Sequence, residues 1–311
     1  PSWPALLAGA RPPSRGGSAG RADEEEEGEE AEPGEWRHGW QFNACSIREN
    51  RFREHVLVPL LSPSGRATLR SCSGPGAGYW LTTLPTSTAT RLRPELFQVA
   101  LRRRLRMRLF LGLRRCTGKG CGRHLDDLGD HRAACSRTGL LQRRTQPLER
   151  AWAQVCREAG ARVVPQQMLR DMDLALQDAD DGRRVDLVAH GLPLYGGVPF
   201  CGDATIVSPL HADGHAWHGA ADQNGHRLRA ARRRKEVTHP ELVGGDRGRL
   251  VLLGCETGGR WAPEALRLLS SLAQARCREA LELLRSSARH AWQRRWMCIV
   301  SVATQTAVAA S

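Results

Sequence analysis

The chain has 311 residues, enough for one or two domains with a hydrophobic core that needs no disulfide to fold. Its 46 Lys and Arg residues against 33 Asp and Glu residues leave a net charge of +13, which predicts a polyanionic partner such as nucleic acid. No apolar run has the length of a membrane span, and no export signal stands at the start. These patterns argue against a membrane partner and predict a soluble, intracellular protein, for which we expect a nuclear location.

Arginine supplies nearly all of the positive charge, since only Lys119 and Lys235 are lysines. A compositional bias toward arginine is therefore an alternative explanation for the basic character. The same bias makes Lys235 informative, because a lysine amine can be tuned for catalysis whereas an arginine stays protonated.

The first two segments differ in composition. Residues 1–38 are rich in proline, glycine, serine and acidic residues, which predicts a disordered tail. Residues 39–113 are predicted to be helical or linking, and a basic strip lies near their end. The strip is either a solvated helix face or a phosphate-contacting surface. It consists of Arg102, Arg103, Arg104, Arg106 and Arg108.

Residues 114–140 contain the spacing Cys-x4-Cys-x9-His-x3-Cys, with glycines in the intervening turns. Three thiolates and one imidazole can complete a tetrahedral shell, so we predict a structural zinc (Zn²⁺) site. The predicted ligands are Cys116, Cys121, His131 and Cys135, with His124 as a competing ligand. The alternative is that these cysteines are free thiols.

Residues 146–258 alternate between helical and strand patterns and are predicted to form the main body. The expected elements are helix 146–160, strands 161–165, 183–188 and Phe200–Val207, helix 227–236 and strand Arg249–Glu256. Residues 262–311 are predicted to add C-terminal helices at 263–285 and 291–310. This order predicts the α/β (α+β) class.

Two acidic residues on neighbouring predicted strands, followed by a lysine, are typical of a metal-dependent phosphodiesterase. Asp186 and Asp203 are predicted to hold Mg²⁺, and Lys235 to face the phosphate or the attacking water. Either Glu149 or Glu256 is expected to add an outer ligand.

The alternative for the two aspartates is ordinary, because strand-end carboxylates often cap turns or pair with a neighbour such as Arg184. The predicted helix 227–236 is itself strongly basic. Together with the strip at 102–108, its arginines are predicted to contact nucleic acid, namely Arg232, Arg233 and Arg234.

The zinc spacing followed by Asp186, Asp203 and Lys235 resembles the restriction-like endonuclease region of site-specific non-LTR retrotransposons. Several short stretches are also similar to retroelement-derived, reverse-transcriptase-like proteins. They include GLPL at 191–194, DATIVSP at 203–209 and GGRW at 258–261. The resemblance covers roughly residues 70–305.

The resemblance implies a PD-(D/E)xK core, a mixed sheet flanked by helices with the zinc motif upstream. It implies that Asp186 and Asp203 bind the catalytic Mg²⁺ and that Lys235 is a displaced catalytic lysine. By the same resemblance the enzyme nicks target DNA, and the freed 3′-hydroxyl primes reverse transcription. DNA is then the partner, element RNA a second one, and no small-molecule cofactor is needed.

The sequence departs from the pattern at three positions. Val185 replaces the proline that usually precedes the first acid, Thr205 stands where related enzymes have lysine, and His239 stands where tyrosine is common. Lys235 must therefore reach the site from a helix. No polymerase signature occurs, so we expect a downstream fragment of such an element, and the alternative is a catalytically inactive, zinc-containing nucleic-acid-binding remnant.

Overall fold

The computed structural model describes residues 40–109, 112, 115–172, 174 and 181–311. The described residues divide into two compact units, one within residues 1–61 and one within residues 62–311. The predicted disordered tail at 1–38 lies outside the described residues. In the first unit, helix α1 (Trp40–Phe52) continues through a π-helical turn (Arg53–Leu57) into the short helix α2 (Val58–Leu60).

The second unit contains eight further α-helices among its described residues. Three of them begin with proline, whose fixed backbone angle suits the first helical turn. Within the described part of the chain, no helix is both long and apolar enough to cross a membrane. The helices are α3 (Pro63–Ser71), α4 (Tyr79–Thr82), α5 (Pro94–Arg104), α6 (Asp130–Ala134), α7 (Leu140–Glu158), α8 (His226–Thr238), α9 (Pro263–Arg276) and α10 (Glu282–Ala310).

Four strands form one mixed sheet in the order β1-β2-β3-β4. They are β1 (Arg162–Met168), β2 (Arg184–His190), β3 (Phe200–Val207) and β4 (Arg249–Glu256). The β1–β2 and β2–β3 pairs are antiparallel, whereas β3 and β4 are parallel because α8 connects them. The α/β class predicted from the sequence is confirmed.

The main hydrophobic core lies where α7, α9 and α10 pack together and against the sheet. Trp152 of α7 is fully buried and meets the ring of Trp261 edge to face, with 6.0 Å between the ring centroids. A second, smaller cluster includes Val188 of β2 and Leu250 of β4. Pro165 is tolerated in β1 because that strand is at the edge of the sheet.

The predicted helix at 263–285 is wrong in extent, since α9 ends at Arg276 and α10 begins at Glu282. Cys277 is the last buried apolar residue of this stretch, and the next large ones are exposed, Leu281 to 75% and Leu283 to 96%. The apolar repeat therefore continues in the sequence beyond the point where the helix leaves the core. The predicted helix at 291–310 correspondingly begins earlier than expected.

Arg144 of α7 is a buried cation that joins α6 to the sheet. Its Nη1 donates to the carbonyl of Ala133 at 2.7 Å, and its Nη2 donates to the carbonyl of Ile206 at 2.9 Å. Burial lowers the pKa of this guanidinium to about 10. The two hydrogen bonds offset part of the cost of removing the charge from water, and the buried Nε has no partner among the described residues.

Replacing Arg144 with methionine is expected to lower the free energy of unfolding by roughly 2–4 kcal/mol, because two buried carbonyls lose their donors. Urea unfolding followed by circular dichroism measures the change. Arg143→Met is the matched control, since Arg143 is exposed and should cost less than about 0.5 kcal/mol. Equal midpoints for the two variants would contradict the role given to Arg144.

Candidate functional site

A cleft opens where the pairing of β2 with β3 stops. The last register pair at this end is Leu187 with Gly202. Beyond this pair, a side chain rather than the backbone of β2 bonds to β3. The Oδ2 of Asp186 accepts a hydrogen bond from the Ala204 N–H at 2.8 Å. Asp186 and Asp203 therefore follow the same end of the paired segment and both line the cleft.

Asp203 is the most deeply buried carboxylate of this cleft, with a side chain only 4% exposed. The Lys235 Nζ lies 2.6 Å from its Oδ2, and the His239 Nε2 lies 3.7 Å from the same oxygen. The other oxygen, Oδ1, is buried without a hydrogen-bond partner among the described residues. The structure thus brings Asp186, Asp203 and Lys235 together in one cleft.

Helix α8 positions Lys235 through its buried face. Leu228 and Ala231 of this helix pack into the core, and Lys235 lies seven and four residues farther along, so it shares their side of the helix. The lysine consequently points back toward β3. This placement agrees with the expectation that it reaches the acids from a helix rather than from the strand position of Thr205.

Sequence analysis missed Gln166 as a residue of the cleft. It lies in β1 opposite Asp186, between the register pairs Pro165 with Leu187 and Gln167 with Val185. Its φ of +50° is unusual for a residue other than glycine. Its Nε2 donates to Glu149 Oε2 at 2.8 Å and reaches Asp186 Oδ1 at 3.5 Å. A glutamine in an edge strand gives no sequence signal for this position.

Of the two candidate outer ligands, only Glu149 lines the cleft. Glu256 pairs with Val207 at the far end of β3, whereas Asp203 pairs with Leu252. Its carboxyl is buried there, and burial raises its pKa. The expectation that Glu256 could serve the acids is therefore wrong, because it lies four register positions along the sheet.

The electrostatics of the cleft favour a bound cation. Burial, together with the neighbouring charges of Asp203 and Glu149, raises the pKa of Asp186 to about 7. The Ala204 N–H and Lys235 act in the opposite direction but do not cancel this effect. Carboxylates that repel one another in a buried site are stabilised in their charged form by a cation.

This raised pKa predicts a pH-dependent stability in buffer without divalent cations. The folded pKa of Asp186 is above the unfolded value of about 3.9, so the fold binds the proton more tightly and loses stability as pH rises from about 4 to about 7. The Asp186→Asn variant has no carboxyl group to ionise at this position, so it does not lose stability in this way. We therefore expect its melting temperature to exceed the wild-type value at about pH 8 and the gap to shrink at about pH 5. A pH-independent gap would contradict the raised pKa.

The second cluster consists of the side chains predicted to bind zinc. Their ligand atoms all lie within 4.8 Å of one another, in a set that could hold a metal such as zinc: Cys116, Cys121, His131 and Cys135. The competing candidate His124 is exposed and does not belong to the set. The glycine at 118 is required by space, since a Cβ there would lie 2.9 Å from the backbone of Arg137.

Three distances within this cluster match the edges of a tetrahedron. The Sγ of Cys135 lies 3.9 Å from that of Cys116 and 3.8 Å from that of Cys121. The Cys121 Sγ lies 3.5 Å from His131 Nε2. A tetrahedral zinc ion with bonds of about 2.3 Å to sulfur and about 2.0–2.1 Å to nitrogen gives edges of about 3.8 and about 3.5 Å.

The protonation of His131 also fits a metal ligand. Its Nδ1 lies 2.7 Å from the carbonyl oxygen of Ala212, which can only accept, so Nδ1 carries the proton. The lone pair of Nε2 then faces the sulfur atoms. Asp126 fixes the same turn by accepting hydrogen bonds from the backbone N–H groups of Asp130 and His131. Such contacts orient metal-binding histidines.

The basic strip at 102–108 largely makes contacts within the fold. Arg104 donates to the carbonyls of Cys72, Ala77 and Gly258, and Arg103 donates to that of Gly129. Arg106 forms a bidentate ion pair with Asp130 at 2.7 and 2.8 Å. Arg102 donates to the carbonyl of Arg108, and the Arg108 side chain is 82% exposed. Contact of this strip with nucleic acid stays a prediction.

The three arginines predicted on α8 differ in exposure. Arg232 forms ion pairs with Glu236 at 2.8 Å and with Glu264 at 2.7 Å. Arg233 and Arg234 are exposed. Other exposed arginines, which sequence analysis did not predict to contact nucleic acid, line the cleft itself, namely Arg143, Arg150 and Arg157 of α7 and Arg184 of β2.

Sequence comparisons with known proteins do not assign the chain to a family. No model of a known protein family matches the chain, and no curated protein sequence matches it significantly.

Proposed function

We propose that the chain is a metal-dependent endonuclease that cuts phosphodiester bonds in DNA. The observation that supports this proposal most strongly is that Asp186, Asp203 and Lys235 line one cleft, although they are far apart in the sequence. The mixed sheet flanked by helices agrees with the restriction-endonuclease-like core that the resemblance implies. The net charge of +13 suits a polyanionic substrate.

The residues of the cleft fit a Mg²⁺ ion. Mg²⁺ prefers oxygen ligands, and the buried Oδ1 of Asp203 has no partner among the described residues. Asp186 and Asp203 would hold the ion, with Glu149 as an outer ligand. Bound there, Mg²⁺ would stabilise the negative charge that develops on the phosphoryl oxygens and would lower the pKa of a bound water.

Lys235 supplies the positive charge that the protein itself brings to this reaction. Its ammonium group lies against Asp203 and also lines the open cleft, so it can donate hydrogen bonds to a phosphate there. His239, which is buried behind Asp203, helps to fix the orientation of that carboxylate. In this proposal Lys235 contributes positive charge, and His239 contributes to the position of the Asp203 carboxylate.

The Cys/His cluster is proposed to bind structural zinc. Its four ligand atoms close the coordination shell and leave no open position for a substrate. The cluster instead holds the segment that contains Asp130 and Ala133. Asp130 pairs with Arg106, and the Ala133 carbonyl accepts from Arg144, so both connect this segment to the main body.

The biological context of the proposal is a mobile element. A nick in target DNA frees a 3′-hydroxyl, and a polymerase of the same element would extend that end. In this proposal the partner is DNA, element RNA is a second partner, and the protein acts in the nucleus.

The test is incubation of supercoiled plasmid with the zinc-loaded protein, with and without Mg²⁺. We expect conversion to open circles only when Mg²⁺ is present. Zinc-loaded protein that leaves the plasmid intact with Mg²⁺, over a range of protein concentrations, would refute the endonuclease proposal.

Nucleic-acid binding without catalysis is a second candidate function. The ion pair between Lys235 and Asp203 favours it, because the Lys235 ammonium at 2.6 Å balances the charge of one of the two carboxylates. Salt-dependent binding of DNA together with complete absence of nicking would support this candidate.

A further inference from the structure

Helix α7 presents a row of arginines along the cleft. Arg143, Arg150 and Arg157 are spaced by seven residues, and seven residues make nearly two turns of an α-helix. The three side chains therefore lie within about 40° of one another around the helix axis and span about 21 Å along it. All three are exposed and all three line the cleft that contains the acids.

The rest of α7 holds this row in place. Leu148, Trp152 and Val155 are fully buried on the opposite side of the helix, so the arginine face must point outward. The helix is thus a rigid support rather than a mobile loop. Arg184 adds a fourth exposed cation from β2, two residues before Asp186 and on the same face of the strand.

The charges of the cleft are arranged in two zones. Its carboxylates, Glu149, Asp186 and Asp203, are half-buried or buried, whereas its four arginines are exposed. Within the described residues, the side chains of these arginines form no ion pair. An anion that enters the cleft therefore meets unpaired guanidinium groups before it meets the acids.

We infer that the sugar-phosphate backbone of the DNA lies along α7, with Arg143, Arg150 and Arg157 each contacting phosphate. This inference rests on the proposed function for the identity of the partner. Arginine suits this task because its planar group binds phosphate through two hydrogen bonds.

The test compares two triple variants that lose the same charge. Arg143→Ala/Arg150→Ala/Arg157→Ala removes the row, and Arg278→Ala/Arg289→Ala/Arg294→Ala removes three exposed arginines that do not line the cleft. Binding of a short fluorescent DNA duplex is measured by anisotropy over a series of salt concentrations, in buffer without Mg²⁺. Circular dichroism melting checks that both variants are folded.

Each phosphate contact contributes about 0.9 to the slope of log K against log salt concentration. We expect the row variant to lose roughly 2.7 from this slope, so that wild type loses about 40-fold more affinity than the variant between about 50 and about 200 mM salt. The control variant should keep nearly the wild-type slope. Arg143→Lys/Arg150→Lys/Arg157→Lys should retain most of it, since the charges remain.

The outcomes separate this inference from the proposed function. A slope lost in the row variant supports the inference even when wild type fails to nick plasmid. Equal slopes for the row and control variants, or no DNA binding by wild type, overturn it even when nicking is observed. If the row variant loses more of this slope with an RNA duplex than with a DNA duplex, the surface is assigned to RNA and the DNA assignment is overturned.

Discussion

Replacing Asp203 with asparagine is expected to slow Mg²⁺-dependent nicking by at least about 10³-fold, or about 4 kcal/mol of transition-state stabilisation. The change preserves the shape of the side chain but removes the charge of the one carboxylate that is buried, contacts Lys235 and keeps a free oxygen. Initial rates of open-circle formation measure the effect.

Binding of DNA by this variant should stay within a few-fold of wild type, because phosphate contacts and not the acids supply the affinity. The Glu149→Gln variant provides a comparison in which a smaller decrease in nicking rate is expected. It should slow nicking far less, since Glu149 is proposed only as an outer ligand and its oxygen is already shared with Gln166. Equal rates for wild type and the Asp203 variant would refute the assignment of the catalytic acids.

Replacing Cys121 with serine is expected to unfold the segment around residues 115–138 and to abolish stoichiometric zinc. A structural zinc site contributes about 10–16 kcal/mol of binding energy, so one ligand in four accounts for roughly 2.5–4 kcal/mol. Because Arg106, Arg144 and the Ala212 carbonyl tie this segment to the main body, the melting temperature of the whole second unit should fall.

Cys298→Ser is the matched control, since both cysteines are half-buried and only Cys121 belongs to the cluster. Zinc content is measured by inductively coupled plasma mass spectrometry, and stability by circular dichroism melting. Wild-type protein that melts at the same temperature with and without a zinc chelator would show that the cluster holds no structural metal.

Several elements around the cleft could be predicted closely from the sequence. Strands β3 and β4 have the expected bounds, because each is a buried apolar run with a turn or loop on either side. Helix α8 begins and ends near its predicted limits because His239 and Pro240 stop it. The spacing of cysteines and histidine likewise identified the four atoms that cluster.

Other features of the site depend on tertiary structure alone. In a chain where nearly every cation is arginine, the row on α7 gives no separate signal, and only the fold shows which arginines line the cleft. The same reason explains the strip at 102–108, where Arg103, Arg104 and Arg106 find partners inside the fold. Gln166 acts through a positive φ that no local pattern predicts.

Electron paramagnetic resonance of Mn²⁺, used in place of Mg²⁺, tests most directly whether Asp186 and Asp203 share a divalent cation. The zinc-loaded wild type is titrated with Mn²⁺, and the six-line signal of the free ion is followed. We predict that wild type removes the signal of about one equivalent of free Mn²⁺. With Asp203→Asn the signal of free Mn²⁺ should persist in full. Equal Mn²⁺ binding by the two proteins, or none by wild type, would contradict it.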